Sequence, residues 1–323
     1  VSLSHEGPIV DEKLAYRVNV RGYGTDGQYR SNADGGRLGS ERTETAQLTL
    51  FAQPAENFTI KARAFYSRDN DGAAAGMLLG SPISSRKDGS ANAGPNCRSQ
   101  GITSKADTLA DYFCGAVPQV DVDSFIAPNT KLTAFDIAAF RAPGWTDPRN
   151  GIARLKPTGV PMVDFVGLRR KSWRFALIGD YEFADGHTLS TVTGYSDMAA
   201  NWVRDFDLTQ SQNFLSQDPQ KHTDFTQEVT IESPQDQAFR YSIGVNYFDV
   251  EYIQAGNGGI NIWGSDGGVT QRINGVVTPG PFTLGNNEFP AEAGETIGVF
   301  GSLAYDFTDD LTLDIEWRYQ EDS

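Results

Sequence analysis

Aromatic and arginine side chains lie close together in the polar segments of this sequence, where they could bind a small ligand. Tyr112, Arg141, Trp145 and Arg149 fall in one long polar segment, and Trp263 falls in another. An aromatic ring beside a guanidinium group can stack on a sugar or hold an aromatic, anionic chelate. We predict these five residues as ligand contacts. The competing interpretation is that they form the small apolar core that any large loop needs.

The sequence lacks the motifs that assemble catalytic groups in familiar enzymes. It contains no Gly-x-Ser-x-Gly, no P-loop and no Cys-x-x-Cys, and its three histidines, His5, His187 and His222, are not at metal-ligand spacing. The segment 69–72 (DNDG) resembles part of a calcium loop without the distant glutamate, so a turn is the simpler interpretation. We therefore predict a protein that is not an enzyme, with no catalytic residue, no metal site and no cofactor.

A repeating unit of two alternating strands joined by a short polar turn must position these segments. In the clearest copy, Ile297–Tyr319, apolar residues fall on one face of both strands, polar residues fall on the other, and Asp309 and Asp310 form the turn. Four further copies are predicted, with turns at 8–13, 54–57, 185–187 and 233–236, which gives ten strands. A face of hydrocarbon opposite a polar face suits a wall between lipid and water. The residues predicted to face lipid include Trp173, Phe175, Leu177, Ile297, Val299, Leu313 and Trp317.

Long links alternate with the short turns along the whole chain. They run roughly over 25–41, 69–170, 205–223 and 256–295. Alternation of period two alone is equally typical of a soluble sandwich or propeller. Tight turns at one end and long loops at the other are typical of outer-membrane barrels. We therefore predict an all-β fold, an antiparallel transmembrane β-barrel of which residues 1–323 form a part, with a long extracellular loop at about 69–170.

Composition is compatible with this fold and argues against one class of partner. Mean hydropathy is -0.41, and no apolar run reaches the ~18 residues of a spanning helix. In a barrel, however, only alternate residues meet lipid. The net charge of -15, from 42 acidic and 27 basic residues, argues against nucleic acid as a partner. Because an open sheet of ten strands would leave two bare edges in lipid, we expect both chain ends to be cuts in a longer protein with more strands; the alternative is that these ten strands close into a barrel by themselves.

The two cysteines, Cys97 and Cys114, both lie in the longest predicted loop. In the oxidising envelope that a barrel implies, two cysteines with no third competitor are predicted to form a disulfide. The bond would stabilise the loop by roughly 3 kcal/mol in the chain-entropy account. Two free thiols in a cytosolic protein are the alternative.

Four stretches of the chain resemble the barrel strands of TonB-dependent outer-membrane receptors. They are GPIVDEKLAYRVNVRGYGTDGQYR, GDYEFADGHTLSTVTGYSD, DFTQEVTIESPQDQAFRYSIGVNYFDVEY and GVFGSLAYDFTDDLTLDIEWRYQED. They occur in the expected order and cover most of the hairpins but little of the loops. The resemblance implies a 22-stranded barrel, of which this chain would be an early-to-middle part.

The resemblance also implies a function and partners. A receptor of this family binds a scarce small-molecule nutrient outside the cell and imports it with energy from the TonB complex, which acts through a plug segment that we do not find in this sequence. The expected surroundings are outer-membrane lipid, and the expected ligand is a ferric siderophore or a similar chelate, with haem, a vitamin or an oligosaccharide as alternatives. A smaller passive pore or adhesin, and a secreted soluble carbohydrate-binding β-protein, remain competing interpretations.

Overall fold

The computed structural model describes the strand-forming parts of the chain and a few short pieces of the links between them. The described ranges are 1–31, 33–76, 96–98, 111–113, 130–132, 134, 137, 144–146, 153–155, 159–161, 164–205, 215–255, 261–262, 270–273, 276–279, 282–283 and 288–323.

Ten long strands form the main sheet. They are β1 (Ser2–Val10), β2 (Leu14–Thr25), β3 (Glu41–Ala55), β4 (Phe58–Asp71), β5 (Gly167–Glu182), β6 (Thr188–Asp205), β7 (Leu215–Glu232), β8 (Phe239–Ala255), β9 (Glu288–Thr308) and β10 (Leu311–Asp322). Each pairs antiparallel with its neighbours in chain order, from β1 through to β10. The predicted all-β antiparallel fold with ten strands is therefore confirmed.

Short turns close one end of the sheet, and long links leave from the other. We call these the turn end and the long-loop end. The turns occupy residues 11–13, 56–57, 183–187, 233–238 and 309–310, close to the five predicted positions. The predicted first turn was wrong in its start: Pro8 belongs to β1, where it pairs with Ala15 before a register shift. Proline is tolerated there because β1 is an edge strand of the described sheet, with β2 as its neighbour.

The strands reach further toward the long-loop end than the sequence pattern suggested. β7 was expected to begin near Thr223 but begins at Leu215, whereas β6 ends at Asp205, where the link was expected to begin. Likewise the long link expected at about 69–170 narrows to 72–166, because β4 ends at Asp71 and β5 begins at Gly167.

The register aligns apolar side chains into rows across the outward face. Leu177 lies opposite Ala62 on β4, and Ala62 lies opposite Leu50 on β3. Cross-strand partners share a face because side chains alternate along every strand. The outward row at Phe175 likewise contains Ala64 and Tyr195. The single apolar face predicted from the alternation is thus present in the structure.

That apolar face is open rather than covered. Trp173 is 47% exposed and Leu177 is 45% exposed, and Leu313 and Trp317 on β10 are also exposed. Aromatic rings border the face at both ends. Tyr66 and Trp173 lie 4.4 Å apart between ring centroids toward the long-loop end, and Tyr181 and Phe183 lie 4.9 Å apart at the turn end. A broad exposed hydrocarbon band between two aromatic borders matches the lipid-facing surface of a transmembrane barrel.

Several short ladders lie beside the main sheet. They pair Tyr29–Arg30 with Arg37–Leu38, Asn96–Arg98 with Asp111–Phe113, Gly144–Thr146 with Ala153–Leu155, and Thr270–Ile273 with Val276–Pro279. Within the described ranges, no helix has both the length and the apolar character needed to cross a membrane.

Candidate functional site: the inward wall at the long-loop end

The inward face of the sheet carries a polar concavity near the long-loop end. Its volume is about 610 Å³. Polar, cationic and apolar side chains from five neighbouring strands, β3 to β7, meet there because register puts them on the same rows. The lining residues are Thr43, Thr45, Phe65, Ser67, Asp69, Arg170, Ser172, Arg174, Ser196, Met198, His222 and Asp224.

A buried carboxylate lies at the upper edge of this concavity. Asp69 is 5% exposed, and its Oδ2 accepts a hydrogen bond from Nε of Arg170 at 2.8 Å. Its Oδ1 accepts a second hydrogen bond from the hydroxyl of Thr43 at 2.9 Å. These partners lie on β5 and β3, on either side of Asp69 in β4, so a single row of the sheet satisfies the buried charge. Arg170 is about half exposed and lines the concavity.

One row below, a buried hydroxyl has no partner in the described chain. Ser172 is 3% exposed, and its Oγ makes no hydrogen bond. On the same row, His222 of β7 approaches a neighbouring carboxylate, with Nδ1 3.5 Å from Oδ1 of Asp224. A donor that is buried and unsatisfied carries a free-energy cost, which a ligand oxygen or a water molecule at this point would remove.

An aromatic and guanidinium pair lies above the concavity on the same inward face. The Cζ of Arg204 lies 4.4 Å from the ring centroid of Trp202, and Arg204 also contacts the buried carboxylate of Asp218. Trp202 is 41% exposed. An aromatic ring beside a guanidinium group was predicted for the loops, but this pair lies on strand β6. Its signal was available in the sequence, because Trp202 and Arg204 keep the parity of the inward residues earlier on β6.

A carboxylate joins two of the links at the long-loop end. Asp34, in the link after β2, accepts hydrogen bonds from the backbone nitrogens of Thr130 at 2.8 Å and Lys131 at 3.0 Å. The Thr130 hydroxyl donates to the same carboxylate at 3.0 Å, and the backbone nitrogen of Gly36 donates at 2.9 Å. Burial opposes ionisation of Asp34, but these hydrogen bonds outweigh it, so the pKa of Asp34 is lowered from its ordinary value.

Most of the residues predicted as ligand contacts lie outside the described chain. This applies to Arg141, Arg149 and Trp263. Tyr112 lies on the short strand Asp111–Phe113 and Trp145 on Gly144–Thr146, where only the backbone is described. Whether these five residues contact a ligand stays a prediction.

The predicted disulfide also stays a prediction. The backbone of Cys97 pairs with that of Tyr112 in the ladder between Asn96–Arg98 and Asp111–Phe113. Cys114 lies outside the described residues.

The side chains of the inward wall offer several kinds of contact to a small molecule. Guanidinium groups, hydroxyls, a histidine and aromatic rings can bind a polar or charged small molecule in several orientations. Among the residues that the structure describes, no group of three or more His, Cys, Asp or Glu side chains is placed to hold a metal ion.

Comparison with known proteins gives no match at the level of sequence and several at the level of structure. No family model and no curated protein matches the chain. Among solved structures, it is similar to the ferric yersiniabactin uptake receptor FyuA from Yersinia pestis, with 12% identity and a TM-score of 0.50 over 100% of this chain and 40% of that one. It is also similar to the ferripyoverdine receptor of the outer membrane of Pseudomonas aeruginosa, with 9% identity and a TM-score of 0.51 over 99% of this chain and 35% of that one. The ferric enterobactin receptor PfeA from the same organism shows 12% identity and a TM-score of 0.51, over 99% of this chain and 36% of that one.

These likenesses concern the fold. This chain spans about 35–40% of the length of each of these receptors. At 9–12% identity, the shared feature is the arrangement of strands and not any set of ligand contacts. Together with the open apolar face and its aromatic borders, the likeness shows that this chain has the fold of an outer-membrane β-barrel wall.

Proposed function

We propose that this chain is part of the barrel of a TonB-dependent receptor in the outer membrane of a bacterial cell. The receptor would bind a scarce small-molecule nutrient, of the ferric siderophore or similar chelate class, and import it with energy supplied by the TonB complex. TonB would act through a plug segment that is not in this chain. The protein would make no covalent change to its ligand.

One observation supports this proposal: the sheet has an exposed apolar outer face and, at its long-loop end, an inner face that carries arginine and aromatic side chains. Arg170 and Arg174 present guanidinium groups there, and Trp202 presents a ring that is 41% exposed. Guanidinium groups suit anionic chelates, and an aromatic ring suits their catecholate or heterocyclic parts. The names of the structural neighbours, which include ferric yersiniabactin, ferripyoverdine and ferric enterobactin receptors, support the same class of ligand.

The inward and outward tryptophans offer a matched test. In the full-length native protein, we expect Trp202→Leu to weaken binding of the preferred ferric chelate at least several-fold. Trp173→Leu, which removes a similarly exposed ring from the outward face, should leave binding unchanged. Binding would be measured by tryptophan fluorescence or calorimetry against a panel of ferric chelates, haem, cobalamin and oligosaccharides.

Uptake in cells separates an energised receptor from a passive pore. Radiolabelled chelate should accumulate in cells that carry the native protein and should stop accumulating when TonB is deleted. If the chelate still enters cells that lack TonB, the protein is a passive diffusion pore and not an energised receptor. If no member of the panel binds and no uptake depends on the protein, the proposed function is wrong, although the barrel fold would stand.

A further inference from the structure

Two side chains of opposite charge line the inward concavity without forming an ion pair with each other. Arg174 on β5 and Asp224 on β7 occupy the same row of the sheet, with Ser196 of β6 between them. Since neighbouring strands lie about 4.8 Å apart, the two backbones are separated by about 10 Å. Across the described parts of the ten strands, no carboxylate forms an ion pair with Arg174.

The contacts of Arg174 and Asp224 leave both charges available to a ligand. The Cζ of Arg174 lies 6.0 Å from the ring centroid of Phe65 on β4, on the side of β5 away from β7. On β7, Nδ1 of His222 lies 3.5 Å from Oδ1 of Asp224, which is longer than an ordinary N–H···O hydrogen bond. Neither charge is therefore neutralised by a close, well-formed ion pair.

The concavity continues one row toward the turn end. A second hollow, of about 420 Å³, adjoins it there, with the small residues Ala176 and Gly194 among its lining. Arg63 on β4 also lines this lower hollow and adds a second guanidinium group on the same side as Arg174. The concavity and the lower hollow share Phe65, Arg174, Ser196 and Asp224. A small molecule in this space can thus contact both charges.

The buried hydroxyl without a partner lies beside Arg174, one row closer to the long loops. Ser172 lines the concavity, is 3% exposed, and makes no hydrogen bond through its Oγ. A hydroxyl can donate a hydrogen bond to an anionic oxygen, and an unsatisfied buried hydroxyl has a free-energy cost that such an oxygen removes. The β5 side of the concavity is therefore suited to an anionic oxygen group.

The same separation of charge extends over the inner wall. On the four rows from Ser172 to Ile178, all of them described, the inward residues of β3, β4 and β5 include no carboxylate, and those of β7, β8 and β9 include no lysine or arginine. Charges of one sign gathered on one part of a wall orient a charged ligand. The cations are Lys61, Arg63 and Arg174, and the carboxylates are Asp224, Glu228 and Glu292.

We propose that the inward concavity selects a nutrient that carries both an anionic oxygen group and a protonated amine. The anionic group would bind Arg174, with Ser172 and Arg63 on either side of it, and the amine would bind Asp224. A ligand with only anionic groups is repelled by Asp224, and one with only an amine is repelled by the arginines. The inference rests on the proposed function and deepens it, because it names the charges that the nutrient carries.

Three small probes test this selection. They are 6-aminohexanoate, hexanoate and hexylamine, which share a chain of six carbons and differ only in the charged groups at its ends. Binding to the full-length native protein in detergent would be measured at low salt by saturation-transfer NMR, which detects weak binding. We expect 6-aminohexanoate to bind about ten-fold more tightly, or better, than either singly charged probe, because it alone makes both charge-assisted contacts.

Variants assign the two ends of the probe to their partners. Asp224→Asn should weaken the binding of 6-aminohexanoate by about ten-fold and should not weaken that of hexanoate. Arg174→Gln should weaken both of these probes and should not weaken hexylamine. Glu228→Gln is the matched control, because it removes a carboxylate from the same face of β7, four residues from Asp224 and outside the lining of both hollows, and it should bind all three probes like the wild type.

Two results would overturn the inference. They are equal affinities of the wild-type protein for the three probes, and equal binding of 6-aminohexanoate by Asp224→Asn and Glu228→Gln. The comparison of probes needs only the wild-type protein, so it decides the question even where a variant fails to assemble.

The probes carry no iron, so this test is separate from the test of uptake. TonB-dependent uptake of a ferric chelate by a protein that does not distinguish the probes would refute the charge selection and leave the proposed function standing. A preference for 6-aminohexanoate without any TonB-dependent uptake would contradict the proposed function and leave the charge selection of the concavity standing.

Discussion

A charge placed at mid-depth on the outward face should impair assembly of the barrel. Leu177 on β5 lies four residues from Trp173, at the long-loop border, and four residues from Tyr181, at the turn border. Eight residues of antiparallel strand span about 27 Å, and a tilt of about 40° reduces this to a depth of about 21 Å. Leu177 is therefore close to the middle of the apolar band. Leu177→Arg should cost about 2–4 kcal/mol, the range for arginine near the bilayer midplane.

The structure supplies a control at the same depth on the opposite face. Val192 on β6 pairs with Ile178, next to Leu177, and its other partner on the inward face is Glu228. Val192→Arg would therefore point into the interior beside a carboxylate, and we expect a change within about 1 kcal/mol.

The assay is refolding of the full-length native protein into lipid vesicles, followed by a urea titration of the heat-modifiable band. The predicted difference of about 2–4 kcal/mol corresponds to roughly a 30- to 900-fold change in the folding equilibrium constant. Equal effects of the two arginine variants, or a larger effect of Val192→Arg, would refute the assignment of faces.

Three further predictions concern the turn end, the links and the inward wall. Gly186→Ala should lower the free energy of unfolding by about 1–2 kcal/mol, because Gly186 has a φ of 84°. Gly22→Ala is the neutral control, because nothing lies within 4 Å of the Cβ that it adds. Asp34→Asn should speed hydrogen exchange in the links that Asp34 joins. Since the pKa of Asp34 is lowered from 3.8, the carboxylate stabilises the wild-type links above that pH and loses its effect as pH falls through the folded-state value, while the asparagine variant should show no such dependence. Arg170→Leu should lower the free energy of unfolding by about 2 kcal/mol, because it leaves Asp69 buried without its cation; this is less than for a fully buried pair, since Arg170 is half exposed. Adding Asp69→Asn should recover part of this loss.

Each of these predictions has a result that contradicts it. Equal unfolding midpoints for the two glycine variants would mean that the positive φ carries no strain. Protection from exchange in the wild-type links, relative to an unstructured chain, that stays constant as the pH falls well below 3.8 would remove the role given to Asp34. A double variant at the buried pair that is no more stable than Arg170→Leu alone would show that the uncompensated carboxylate is not the source of the loss.

The hairpins could be predicted from the sequence because lipid and water impose contrast on alternate residues. Where a strand extends beyond the apolar band, alternate residues no longer differ in polarity, and the sequence pattern that predicts a strand ends. Residues 197–201 (DMAAN) on β6 show no alternation of hydropathy, although the backbone continues as strand to Asp205. β7 was predicted to begin near Thr223, after Pro219, yet Pro219 is buried within the strand and lies opposite Asn201.

The candidate site could be predicted less well for the same reason. Loop residues carry no periodicity, so the choice of Trp145 and Arg141 rested on residue type alone. Predicting that Asp69 pairs with Arg170 would have required knowledge of the register between β4 and β5, which are separated in the sequence by residues 72–166. That register depends on fourteen paired positions between β4 and β5, and no short sequence motif encodes it.

The long link between β4 and β5 has a consequence for how this wall can change over generations. Closing a loop of roughly 95 residues rather than one of four costs only about 3 kcal/mol more in chain entropy, because that cost grows with the logarithm of loop length. The ladder from Phe58↔Tyr181 to Asp71↔Leu168 holds both ends of the link in place whatever lies between them. Insertions and deletions in the link are therefore inexpensive for the wall, and the link can change in length and sequence while the register of the sheet stays the same.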